Sequence, residues 1–201
     1  MTTALELDIT SLYPEQVRAM DYLRLRGTVA PIARIREQVA STFAKLEATL
    51  SEVPAGLRQV APREGAWTIH EVLDHLVETH ERAVIELRGL TAGKRPETEP
   101  IPPGLTSNNP FAASWQSLTD RLHRMHEDFL DAIGRADEAT SLHVKAPVVM
   151  VVKVPDENGK PAPRAWTYEL DWKAYAQAFR VHTIEHIEQI KRTIAAVQSE
   201  G

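Results

Sequence analysis

Two histidines four residues apart, His182 and His186, lie near the end of a 201-residue chain. On an α-helix that spacing puts both imidazoles on one face, with Cβ atoms roughly 6 Å apart. Both rings can then reach one divalent ion at about 2.0–2.1 Å. The pair falls within a run of apolar positions at steps of three and four: Trp172, Tyr175, Phe179, His182, His186, Ile190 and Ile194. Neutral imidazoles buried in such a seam cost free energy unless their nitrogens find partners. A metal satisfies one nitrogen of each ring and leaves the other for a carboxylate. The alternative is a pair of core histidines hydrogen-bonded to neighbours. A third ligand must come from another helix, and an earlier segment offers His75 and His80.

Three nitrogen ligands leave coordination positions open, the arrangement of a reactive site more than of a structural one. Such ligands suit Zn or Ni and also admit Fe, Mn or Cu. An open metal can lower the pKa of a bound water, or hold a thiolate or carbonyl oxygen for attack. Glu78, one turn after His75, and Glu185, beside His186, are candidates to orient imidazoles or move protons. Trp115, Trp166 and Tyr168 are candidates to line a pocket. For all of these, surface carboxylates and core aromatics are the competing reading.

Four segments carry the helical period needed to position these residues. The first runs from Pro31 to about Leu50, with Ile32, Ile35, Val39, Phe43, Leu46 and Leu50 on one face; Pro31 suits the first turn, and Pro54 with Gly56 closes it. A shorter amphipathic piece, Pro14 to Arg26, precedes it and stops at Gly27, an extra arm or short helix. The second segment starts at Thr68, an N-cap with Glu71 three residues on, the capping-box pattern, and reaches about Leu90. His70 in its first turn reads as exposed. Residues 91–110 are rich in proline and turn formers and exclude a helix or a central strand. A connection that long is often functional or mobile. The third segment spans about Phe111 to Ile133, with Trp115, Leu118, Leu122, Met125, Phe129 and Ile133 in its stripe. His123 and His126, off that stripe, read as a solvated surface pair. Between Ser141 and Thr167 the pattern becomes β-branched, with a turn at Asp156–Lys160, predicting a hairpin of edge strands interrupted by Pro147, Pro161 and Pro163. The fourth helix takes Asp171 as N-cap and continues to about Val197.

The expected fold is therefore all-α: a four-helix bundle over residues 30–197, an N-terminal arm over 1–29 and a small β-hairpin before the last helix, in one domain spanning 1–201. Within the second helix, a wheel of about 100° per residue centres the apolar stripe near Ile69, Leu76 and Leu87. His80 lies close to that centre and His75 about 120° to one side. Periodicity by itself selects His80 as the third ligand.

The run Trp67-Thr-Ile-His-Glu-Val-Leu-Asp-His75-Leu-Val-Glu-Thr-His80 resembles the W-[ST]-x6-H-[LV] segment of the DinB/YfiT-like superfamily. In that family the histidine eight residues after the tryptophan is a metal ligand, and an H-x3-H pair on the last helix supplies the other two. The resemblance covers roughly residues 30–197 and implies the triad His75, His182 and His186, leaving His80 as a pocket residue near the ligands. It also implies either metal-dependent hydrolysis or transfer of a low-molecular-weight thiol such as bacillithiol or mycothiol to a small electrophile, the second being favoured. A non-catalytic, stress-related metal-binding bundle is the reading from another class. His182-Thr-Ile-Glu185-His186 also matches the H-x-x-E-H peptidase signature, but that family takes a further ligand well downstream and only 15 residues follow His186.

Composition limits the partners. A formal charge of -5 and the lack of any lysine or arginine cluster argue against nucleic acid. The absence of cysteine removes thiolate ligands and nucleophiles, so any thiol must be a cosubstrate, and it fits the reducing cytoplasm. The acidic start, MTTALELDITSLYPEQ, does not read as a signal peptide. No apolar run approaches the roughly 20 residues of a membrane span. A small-molecule substrate is the expected partner, and a homodimer is compatible with this composition.

Overall fold

The computed structural model describes residues 12–199. Residues 1–11 of the expected arm, with most of the acidic start, lie outside the described residues. The elements are α1 (Pro14–Leu23), a π-turn (Arg24–Thr28), α2 (Ile32–Ser51), α3 (Ile69–Thr91), α4 (Trp115–Gly134), β1 (Lys145–Pro155), β2 (Pro161–Asp171) and α5 (Trp172–Ser199). The long helices α2 to α5 form a four-helix bundle, in which α2 packs on α4 and α5, and α3 packs on the same two.

Local chemistry sets most of the boundaries. Thr68 Oγ1 accepts from the Glu71 amide while the Glu71 carboxylate accepts from the Thr68 amide, a closed capping box for α3. Asp171 Oδ1 accepts from the amides of Lys173 and Ala174 and starts α5. At α4 the expected start moves. Phe111 is not helical; Ser114 is the N-cap, its Oγ accepting from the Ser117 amide, and Phe111 is 47% exposed. The Ala112 amide donates to the Asn109 carbonyl at 3.0 Å, so Pro110 and Phe111 form a separate turn ahead of the cap, and an aromatic at the right phase does not extend the helix.

β1 and β2 pair antiparallel from Lys145↔Asp171 to Pro155↔Pro161, a longer hairpin than the sequence suggested. A two-stranded ribbon has only edge strands, so its four prolines interrupt no central ladder. Its inner face places Ala146 and Leu170 in the core, with Val148, Met150 and Tyr168 packed against it. Arg95 ties the Pro-rich connection to the ribbon through a two-pronged bond to Glu169 at 2.6 and 2.7 Å.

The core has two parts. Phe43, Phe129, Trp172, Tyr175 and Phe179 centre one near the ribbon; Leu46, Leu73, Leu76, Leu122 and Ile190 centre the other. The arm continues from α1 through the π-turn onto α5. There Gly27 lies so close that a Cβ would come within 2.6 Å of the Ala174 Cα, which makes glycine a steric requirement. Thr28 donates to Asp171 at 2.6 Å and completes the contact. Among the described residues, no helix is long and apolar enough to cross a membrane.

Candidate metal centre

α3 and α5 bring His75, His182 and His186 together with one ligating nitrogen of each within 4.8 Å of the others. His182 Nε2 stands 3.1 Å from His75 Nε2 and 3.0 Å from His186 Nε2. A tetrahedral ion with bonds of 2.0–2.1 Å separates its nitrogens by about 3.3 Å. Both distances to His182 are within a few tenths of an ångström of that.

The outer nitrogens fix how the rings present themselves. His75 Nδ1 lies 2.6 Å from the Leu105 carbonyl, which can only accept, so Nδ1 carries the proton and Nε2 offers its lone pair. His186 Nδ1 donates to Gln189 Oε1 at 2.9 Å with the same result. His182 Nε2 therefore faces two lone pairs with at most one proton to give. Its own Nδ1 is buried and has no partner among the described residues. Converging nitrogens of this kind suit a divalent cation.

Burial also keeps the rings neutral. It lowers the pKa of His75, against the Leu105 carbonyl, and takes His182 well below the ordinary range, assisted by the neighbouring imidazoles. His186 is pushed down to about 4, again chiefly by burial. Neutral imidazoles are the ligating form.

Leu105 reaches His75 because Asp74 holds its loop. The Asp74 carboxylate accepts from the Ser107 amide at 2.8 Å and from the Ser107 hydroxyl at 2.7 Å. The Pro-rich connection thus has a structural duty at the site. Trp67 closes the other side of His75, with ring centroids 5.1 Å apart. Neither Leu105 nor Asp74 had any signal in the sequence; Gln189, one turn after His186, could have been found by spacing.

Both candidate third ligands are buried, and they occupy different seams. His80 sits in the centre of the bundle, its Nδ1 donating to the Leu76 carbonyl at 2.7 Å and its ring 6.1 Å from that of His182. His75 faces α5 at the margin of the core. A helical wheel finds the most apolar side of α3, and the three histidines converge beside that side, where the protein opens.

That opening is a cavity of about 570 Å³ walled by α1, α3, α5, β1 and residues 101–103. His75, His182, His186 and Glu185 line it. Glu185 is open to the cavity, yet the protein around it raises its carboxyl pKa, against Lys153. The other sequence candidates lie elsewhere. Glu78 is 3.5 Å from Arg121 on α4, Trp115 carries the Arg58 guanidinium 4.6 Å over its ring, and Tyr168 packs in the ribbon; none lines the cavity.

Two histidines correct the sequence reading. His70 is 3% exposed, its amide bonded to the Arg58 carbonyl. His126 is 2% exposed, stacked on Phe43 with ring centroids 3.9 Å apart and bonded to Glu47 at 2.6 Å. A helix that packs on two neighbours buries a second face, which a single stripe does not reveal. His123, bonded to the same Glu47, remains exposed as expected.

A family model for the DinB superfamily matches residues 38–190. The chain belongs to the DinB superfamily. Its fold is that of YfiT-like four-helix bundles. YfiT from Bacillus subtilis, described as a probable metal-dependent hydrolase with an unusual four-helix bundle topology, superposes with a TM-score of 0.52 at 16% identity, over 86% of this chain and 98% of its own. TT2238, a four-helix bundle protein, gives 0.51 at 18% identity, over 80% and 98%. No curated protein matches the chain. In this DinB-superfamily member α1 and the π-turn precede the matched segment, so the arm that walls the cavity is outside it.

Proposed function

We propose that this protein is a metal-dependent enzyme whose ion is held by His75, His182 and His186, and that it transfers a low-molecular-weight thiol to a small electrophile. Residues 30–197 form its bundle and 1–29 its arm, in one domain. The supporting observation is the donor set: three imidazoles held neutral by burial, two of them oriented by outer hydrogen bonds, facing a cavity large enough for a substrate. A divalent ion there, Zn or Ni first, would act as a Lewis acid on sulfur or oxygen.

The chain's own groups supply the rest. Leu105 and Gln189 fix the rings, and ligand-orienting bonds of this kind preserve metal affinity. The apolar walls exclude water and accommodate the electrophile. They also favour a soft thiolate, whose desolvation costs less than that of a small oxyanion. Glu185, its carboxyl pKa raised by burial, lines the cavity beside His186 and is the group to accept a proton from the incoming thiol. With no cysteine in the chain, the sulfur arrives as cosubstrate.

Hydrolysis is the second reading, favoured by the likeness to YfiT and by the same carboxylate, which could equally take a proton from water. Metal-loaded protein offered glutathione, bacillithiol or mycothiol with an aryl halide should form the thioether, and should lose that activity on chelation and in His182→Ala. Turnover of an aryl ester without thiol dependence would replace the transferase by the hydrolase. No turnover of either kind, together with a large fall in melting temperature on chelation, would point to a non-catalytic bundle in which the metal is structural.

A further inference from the structure

The cavity has a second polar end. Glu86 on α3 and Tyr175 on α5 both line it, and the Tyr175 hydroxyl donates to Glu86 Oε2 at 2.7 Å. Glu86 lies eleven residues beyond His75, while Tyr175 lies seven before His182 and eleven before His186. At 1.5 Å per residue the two ends are about 10–16 Å apart along the helices. Spread over that length, 570 Å³ leaves a cross-section of roughly 35–60 Å². That admits an alkyl chain or a single aromatic ring.

Between the ends the walls are apolar, with Leu23, Ile101, Val148, Met150 and Phe179 among them. A carboxyl group 6% exposed in such surroundings needs hydrogen-bond donors. Tyr175 supplies one. Among the described residues no other donor reaches Glu86, since Arg82, one turn before it, points its Nη2 to the Glu99 carbonyl at 2.6 Å. No lysine or arginine lines the cavity, and its two ends carry the acids Glu86 and Glu185. A ligand carboxylate would meet like charge at the Glu86 end, where no lysine or arginine lines the cavity. An alcohol would make a neutral bond, whereas an ammonium makes a charge-assisted one about twice as strong.

We infer that Glu86 selects an amine: the substrate has a narrow alkyl or aryl body, an amino group bonded to Glu86 and its reacting group about 10–16 Å away at the three histidines. The substrate part of this inference rests on the proposed function; amine binding at Glu86 does not require the metal.

The test is calorimetric titration of the full chain with n-octylamine, n-octanol and octanoate, in metal-loaded wild type, His182→Ala, Glu86→Gln and Tyr175→Phe. In His182→Ala, where no ion competes for the carboxylate, the amine should bind most tightly and octanoate least. Glu86→Gln should weaken the amine about tenfold, the scale of one charge-assisted hydrogen bond, with little change for octanol. Octanol binding also reports that the variant's cavity is intact. Tyr175→Phe, which frees Oε2 and keeps the ring, should leave amine binding equal or tighter. His182→Ala should still bind the amine. Equal affinities for amine and alcohol, or an unchanged amine affinity in Glu86→Gln, would overturn the inference without touching the metal reading. Amine binding with no metal-dependent turnover would instead defeat the metal reading alone.

Discussion

Gln189 is the side chain that aims His186, so removing it isolates the value of that bond. Gln189→Ala should weaken metal binding about 10- to 100-fold, measured by competition with a chromogenic chelator, with the fold unchanged by circular dichroism. His126 makes a different residue-scale prediction. Burial lowers its pKa, while its Nδ1–H bond lowers that of Glu47. In the unfolded chain the histidine titrates near its ordinary value of 6.5, so below that pH the unfolded state binds a proton the native state refuses. Stability should therefore fall as pH drops through 6.5, and fall again below about 4.5 as Glu47 becomes protonated. His126→Phe keeps the stack on Phe43 and should remove up to about 1.4 kcal/mol per pH unit of that slope, read from urea denaturation between pH 5 and 7. An unchanged slope would mean that His126 is charged in the native state. The residue scale was also where the sequence spoke unevenly. His182 and His186 were legible because they share a dominant apolar stripe. His75 needed the tryptophan eight residues before it, and His126 was missed because α4 buries a second face that its strongest stripe does not mark.

Gly27 decides how the arm meets the bundle. Gly27→Ala would drive its Cβ to 2.6 Å from the Ala174 Cα, against backbone that cannot turn aside. The expected cost is about 1–3 kcal/mol of overpacking, visible as a lower denaturation midpoint. Since Ala19, Tyr22 and Leu23 of the arm line the cavity, binding of apolar ligands should weaken with it. Helices α2, α3 and α5 were readable from their stripes and caps, within a residue or two at their starts. The ribbon was readable as β-branched, but its length was not: prolines that would break a central strand are harmless at an edge. The start of α4 was misread because Phe111 continues the phase of a helix that the backbone after Pro110 has not yet begun. The arm's docking had no sequence signal beyond one glycine, whose reason is a neighbour 147 positions away.

At the scale of the whole molecule, the site is a product of assembly. Two helices far apart in sequence supply the imidazoles, a proline-rich connection supplies the carbonyl that orients one of them, and the arm and ribbon build the chamber in front. An ion that binds only the folded arrangement stabilises it by mass action, by about 4 kcal/mol at a thousandfold excess over its dissociation constant. Chelation should accordingly lower the melting temperature of wild type and leave that of His182→Ala unmoved. The most direct test of the central claim is elemental analysis of protein purified without a nickel column, on wild type, His75→Ala and His186→Ala. The proposal predicts about one divalent ion per chain in wild type and little or none in either variant, since each leaves only two of the three protein ligands. One ion per chain retained in both variants would contradict it.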